Sequence, residues 1–79
     1  MEDKIKMIWD FRGPSAEKTA AHHEIHLRDY LKMNNKTDRK TGFEKIGDFH
    51  FIAFMIVEKS EMKPIRDALK PHRGQLHKD

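Results

Sequence analysis

The side chains most able to carry chemistry in this chain are its six histidines, in a total of 79 residues. His22 and His26 lie four residues apart in a segment rich in helix formers, so their rings can point the same way and could share a metal ion. The segment lacks the glutamate-bearing HExxH pattern and any obvious third ligand. The pair is therefore only a weak metal candidate, and the sequence predicts no metal and no cofactor.

Two further histidines are predicted to line a pocket. His23 falls on the apolar stripe of the same segment, and we expect it to face a sheet. His50 shares one face of a strand with Ile52 and Phe54, and we expect that face to lie against the helices. A helix crossing that strand would bring the two rings together. The predicted small-ligand pocket consists of His23, His50, Asp10, Arg12, Trp9 and Tyr30.

The elements that must position these side chains follow from hydrophobic periodicity. Apolar residues alternate with polar ones over 5–11, which predicts a strand with one buried face. Gly13-Pro14 ends that strand and suits a helix start, and a helix is predicted from Ala16 to about Met33. A short strand over 43–46 and a second helix between Ser60 and Pro71 follow.

The segment Phe49–Val57 is the most informative in the chain, because both of its alternating faces are apolar. A strand buried on both sides lies at the centre of a sheet. The resulting order, strand, helix, strand, strand, helix, predicts an α+β chain of the ferredoxin-like split βαβ type, an antiparallel sheet with two helices on one face. We expect one domain over 1–79, ordered over about 4–71, with 72–79 as a short edge strand or a tail.

Two helices cover only one side of such a sheet, so the other side is predicted to be an interface. We assign to it one face of the central strand together with a residue of the first strand, and expect a homodimer formed through it. The predicted interface residues are Ile8, Phe49, Phe51, Ala53, Met55 and Val57.

Charge and cysteine content exclude several classes of function. The net charge of +3 comes from a mild basic bias rather than from a dense basic stripe, which makes a nucleic-acid partner unlikely on composition alone. The absence of cysteine excludes disulfides and thiolate metal sites and favours a cytoplasmic location. The longest apolar run, 51–57, is too short to span a membrane, which needs about 20 residues.

One motif keeps RNA as an alternative partner. The segment 47–54 resembles the aromatic octamer on the third strand of RNA-recognition motifs, with Phe49, Phe51 and Phe54 at the aromatic positions. The basic first position and both glycines of that octamer are replaced, and Asp48 would place negative charge beside the phosphates.

A second resemblance covers residues 4–72. Trp9-Asp10-Phe11, the segment 46–50 and Ile56-Val57-Glu58 before a helix make the chain similar to small ferredoxin-like families of unknown function, whose relatives assemble as dimeric α/β barrels. This resemblance implies a homodimer and no particular catalytic residue. The favoured function is small-ligand binding or regulation. The alternatives are a cofactor-free small enzyme of the barrel type and a single-stranded RNA-binding module.

Overall fold

The computed structural model describes residues 4–36 and 39–77, which form four β-strands and two α-helices. A 3₁₀ turn at Lys59–Glu61 leads from the third strand into the second helix. In chain order the elements are β1 (Lys4–Arg12), α1 (Ala16–Met33), β2 (Lys40–Gly47), β3 (His50–Glu58), α2 (Met62–Leu69) and β4 (Arg73–His77).

The four strands form one antiparallel sheet in the order β2-β3-β1-β4. β1 and β3 are central, and Ile8 of β1 lies opposite Phe54 of β3. β4 extends the sheet beyond β1, with Arg73 opposite Ile8. The sequence left open whether the C-terminal residues form a strand or a tail. They form a strand over 73–77, and 78–79 lie outside the described residues.

The first helix has the bounds that its sequence predicts, 16 to 33. Gly13 precedes it with a φ of +113°, a conformation that glycine adopts easily, and its amide donates to the Phe49 carbonyl oxygen. At the other end Asn35 takes a left-handed φ of 57° and stops the helix. Among the described residues, neither helix has the length and apolar character that crossing a bilayer requires.

Both helices pack on the same side of the sheet, which we call the covered face. Side chains of α1 and α2 there meet alternate residues of the two central strands, and their packing excludes water from the main core. Phe51 lies on the same side, against Ala16 and Ala20 of α1. The main core consists of Met7, Trp9, Leu27, Leu31, Ala53, Met55, Val57 and Ile65.

The predicted assignment of the two faces of β3 is therefore wrong. Phe51, Ala53, Met55 and Val57, expected at a dimer interface, are buried beneath the helices. Phe49, expected beside them, lies in the β2–β3 turn and is exposed. Because both faces of β3 are apolar, its own sequence carries no signal that says which face the helices cover.

The opposite side of the sheet, which we call the open face, has no helix over it in the described part of the chain. Its centre is a second apolar cluster, Ile8, Ile52, Phe54 and Ile56, each no more than 8% exposed. The Lys6 ammonium lies 4.5 Å from the centre of the Phe54 ring and also binds Glu44 at 3.1 Å. Polar side chains thus lean over the apolar centre and shield it.

The strand β2 is longer than predicted, since it begins at Lys40 rather than at 43. The polar residues at its start gave no strand signal, because β2 lies at the sheet edge and most of its side chains are exposed. Gly42 pairs with Phe54, and a Cβ added at Gly42 would lie 2.7 Å from Cζ of that ring. The glycine therefore makes room for an aromatic ring of the open face.

Candidate functional site on the open face

The open face carries a hydrogen-bonded cluster of three side chains from three strands. Asp10 of β1 accepts from Nε2 of His50 at 2.8 Å through Oδ1. The Arg73 guanidinium of β4 holds the same carboxylate by two bonds, Nε to Oδ2 at 3.0 Å and Nη2 to Oδ1 at 3.2 Å. We call Asp10, His50 and Arg73 the polar cluster.

The charge of Asp10 fixes the state of its neighbours. Hydrogen bonding to Arg73 lowers the pKa of the Asp10 carboxyl, and the bond from His50 adds to this effect, while partial burial opposes it. A carboxylate can only accept hydrogen bonds, so Nε2 of His50 must carry the proton. The neutral ring then has its lone pair at Nδ1, where it can accept a hydrogen bond or a proton.

A fourth residue, His72, ties this cluster to the edge of the sheet. The backbone amide of Asp10 donates to Nδ1 of His72 at 2.8 Å, so that nitrogen is unprotonated. The His72 amide donates to the Ile8 carbonyl oxygen at 2.9 Å, which extends the pairing of β1 with the chain before β4. Arg73 and His72 were not predicted to belong to a site, because their segment could have been a tail.

His23 occupies the covered face, on the other side of the sheet from His50. Its ring lies between Trp9 and Phe11, at centroid distances of 5.1 and 5.4 Å. Nε2 of His23 is buried and has no hydrogen-bond partner among the described residues. Burial is the main cause that lowers the pKa of His23, and the nearby His26, His72 and His22 lower it further. The prediction that His23 and His50 share one pocket is wrong.

The other predicted pocket residues divide between the same two faces. Arg12 lies directly opposite His50 in the β1–β3 register and is exposed, so it adds a cation beside the polar cluster. Trp9 is in the main core and donates from Nε1 to the Leu69 carbonyl oxygen at 3.0 Å. Tyr30 packs at the margin of that core. The structure thus keeps Asp10, Arg12 and His50 together.

The weak metal candidates are close to each other on α1. Nε2 of His22 and Nε2 of His26 are 3.0 Å apart, and both residues are exposed. No group of three or more histidine, aspartate or glutamate side chains within 4–36 and 39–77 is arranged to hold a metal ion.

The arrangement around the polar cluster combines three chemical properties. Ile8 and Ile52 form a shielded apolar layer at 1% and 2% exposure, Nδ1 of His50 is an acceptor, and Arg12 provides a positive charge. Such a surface can hold an anionic or hydroxyl group of a small molecule, and it can accept a proton from that group.

Comparison with known proteins finds no match for this chain. No protein-family model matches it, and no match of significance is found among the curated proteins or the solved structures. The function must therefore be argued from the geometry alone.

Proposed function

We propose that the protein is a ferredoxin-like homodimer that binds a small ligand on the open face of its sheet. The order of elements and the antiparallel order β2-β3-β1-β4 support the ferredoxin-like arrangement. The absence of cysteine supports a cytoplasmic location as part of this proposal.

The observation that carries the proposal is the polar cluster itself. His50 alone could be an ordinary surface histidine, but Asp10 fixes its ring and Arg73 fixes Asp10. Holding a charged pair in one geometry costs side-chain entropy, and an exposed ion pair contributes little stability. The cluster lies directly beside Ile8 and Ile52, on a face of the sheet that neither α1 nor α2 covers. This combination of one oriented polar group and apolar surface is typical of small-molecule sites.

The open face also supports the homodimer. Its apolar centre is rimmed by charges of both signs, with Lys6 and Arg12 against Asp10 and Glu44. A two-fold interface pairs a surface with itself, so a surface that carries both signs can complement its own copy. A chain of 79 residues buries a smaller share of its surface on folding than a larger domain does, so a second copy would add burial.

A cofactor-free enzyme is the second candidate, and one contact favours it. Asp10 holds His50 with its Nδ1 lone pair available, which is the arrangement of a general base oriented by a carboxylate. In such a step a proton would leave the ligand and bond to Nδ1 of His50. Asp10 would stabilise the imidazolium, and Arg12 would stabilise the anion left on the ligand.

We do not extend the proposal to RNA. Bases stack on aromatic rings that share an accessible face of the sheet. Phe51 packs against α1 on the covered face, Phe49 lies in a turn, and the Phe54 ring is under Lys6.

A small-molecule screen monitored by NMR and thermal shift tests the proposal. We expect hits that perturb resonances of Ile8, Ile52 and His50, and we expect His50→Ala to weaken their binding by at least tenfold. His22→Ala is the matched control, since His22 is an exposed histidine on the far side of the sheet. Consumption of a hit by the wild type but not by Asp10→Asn would favour the enzyme.

Two results would contradict the proposed ligand site. Hits whose perturbations map to the covered face, or affinities equal in His50→Ala and wild type, would show that the polar cluster is not the site.

A further inference from the structure

A second site lies on α1, away from the open face. His22 and His26 are separated by one helical turn, and both rings are exposed on the surface of the helix. Their ring centroids are 4.6 Å apart, and the two Nε2 atoms approach to 3.0 Å. Neither ring is packed in the core, so burial does not account for the close approach of the two Nε2 atoms.

The nitrogen separation matches that of two ligands on one metal ion. Imidazole nitrogens bind Zn²⁺ at about 2.0–2.1 Å, and bonds of that length with nitrogens 3.0 Å apart give an angle at the metal of about 91–97°. This is close to the right angle between neighbouring ligands in square-planar and octahedral sites and is narrower than a tetrahedral angle. Tetragonal sites of this kind are typical of Cu²⁺ and Ni²⁺.

We propose that His22 and His26 form a two-histidine chelate for a divalent transition-metal ion, with Cu²⁺ bound most tightly. Copper exceeds nickel and zinc in affinity for a given set of nitrogen ligands. Nε2 of each ring supplies one lone pair, and each ring then keeps its proton on Nδ1. The chelate therefore replaces the hydrogen bond between the two rings without a net loss of protons.

The number of ligands determines what the site can do. The described residues add no third histidine or carboxylate to this pair, so water or another exchangeable ligand fills the other positions. A structural metal site has four protein ligands and closes its coordination, whereas sites with open positions can bind a further molecule. The site on α1 is accordingly an exchangeable metal site rather than a closed structural one.

Titration of the full chain without an affinity tag, using Cu²⁺ and Ni²⁺ as chlorides against a weak competing chelator, tests the inference. We expect one ion per chain and at least a tenfold loss of affinity in both His22→Ala and His26→Ala. Alanine favours the helix, so these variants should keep the wild-type circular dichroism. His77→Ala, a change in β4, is the matched control and should retain wild-type affinity.

A variant that keeps the number of histidines separates chelation from simple histidine content. In His26→Ala/Asp29→His the two histidines on this side of α1 stand seven residues apart, about 10 Å along the helix, and cannot share one ion. This variant should bind as weakly as His26→Ala. Affinity equal to wild type in any of these three α1 variants, or no measurable binding by wild type, overturns the proposal. None of these outcomes bears on ligand binding at His50.

Discussion

Two histidines of this chain differ in chemical state because they lie on opposite faces of one sheet. His50 donates a hydrogen bond from Nε2 to a carboxylate and has its lone pair at Nδ1. His23 lies between two aromatic rings, and its buried Nε2 has no partner among the described residues. The first histidine is therefore suited to binding or proton transfer. The second is a source of pH sensitivity in the core.

We predict that His23 makes the protein less stable in mild acid. The unfolded ring titrates at 6.5, and burial lowers the pKa of the folded ring. Between those two values the unfolded state binds more protons than the folded state. The stabilising contribution of neutral His23 is therefore complete above pH 6.5 and is lost as the pH falls below it.

The replacement His23→Phe should flatten this dependence, because it keeps a ring between Trp9 and Phe11 and removes the unpaired nitrogen. We expect the variant to gain stability relative to wild type on going from pH 7 to pH 5, measured by urea unfolding at each pH. His77→Phe, a change in β4 at a histidine that is not among the groups lowering the pKa of His23, should keep the wild-type slope. A wild-type slope in His23→Phe as well would contradict the prediction.

The candidate site was only half predictable from its residues. Asp10 and His50 belong to it, as their polar character on apolar strands indicated. Arg73, which completes it, is 63 residues from Asp10 in sequence. Its contribution depends on the pairing of β4 with β1, and local sequence patterns carry no information about a pairing over that distance.

At the scale of elements, one carboxylate joins three connecting segments. Glu61, at the end of the 3₁₀ turn, accepts from Nε and Nη2 of Arg39, each at 2.8 Å, and from the Lys36 ammonium. It also accepts from the backbone amide of Glu58 at 3.1 Å, which closes a capping box before α2. The chain after α1, the start of β2 and the entry to α2 thus meet at one side chain.

We predict that Glu61→Gln destabilises the protein by about 2 kcal/mol at pH 7. The Arg39 bonds, aided by Lys36 and the Glu58 amide, lower the pKa of Glu61 from 4.5 to about 2. Because the folded pKa is lowered, the stabilisation is complete above pH 4.5 and is lost as the pH falls towards 2.

Thermal unfolding of Glu61→Gln and wild type between pH 7 and pH 2 measures this contribution, and the two curves should approach each other below pH 4.5 and converge near pH 2. Glu17→Gln, an exposed change in the first turn of α1, should remain within about 0.5 kcal/mol of wild type throughout. A constant difference between Glu61→Gln and wild type at every pH would contradict an electrostatic cause.

The elements themselves were predictable to different degrees for physical reasons. The bounds of α1 are marked by Pro14 and Asn35, which act through their own backbone preferences. The orientation of β3 is not a local property. It follows from its register with β1, where Met7 lies opposite Met55 and shares its covered face. Only one of the two alternating faces of β1 is clearly apolar. Once β1 is paired with β3, that face of β1 identifies which face of β3 the helices cover.

At the scale of the whole molecule, the sheet separates the main core from the open face. The covered face is closed by α1 and α2, and substitutions there act on folding. The open face depends on side chains of the strands alone, with Lys6 over Phe54 and Arg73 over Asp10. Its apolar centre is small and shielded, so an interface on it must use the charged rim as well as that centre.

The final prediction is that the protein is a dimer through this face. Phe54→Lys puts a second cation beside Lys6 and, by two-fold symmetry, beside its own copy, so like charges would meet in the interface. We expect wild type to sediment as a dimer at tens of micromolar and Phe54→Lys to sediment as a folded monomer. Met33→Lys, a change at a largely exposed position on α1, should stay dimeric. Met55→Asp should unfold the chain instead, because Met55 is in the main core. A wild-type monomer at high micromolar concentration would refute the dimer. A dimer that survives Phe54→Lys would place the interface on another surface.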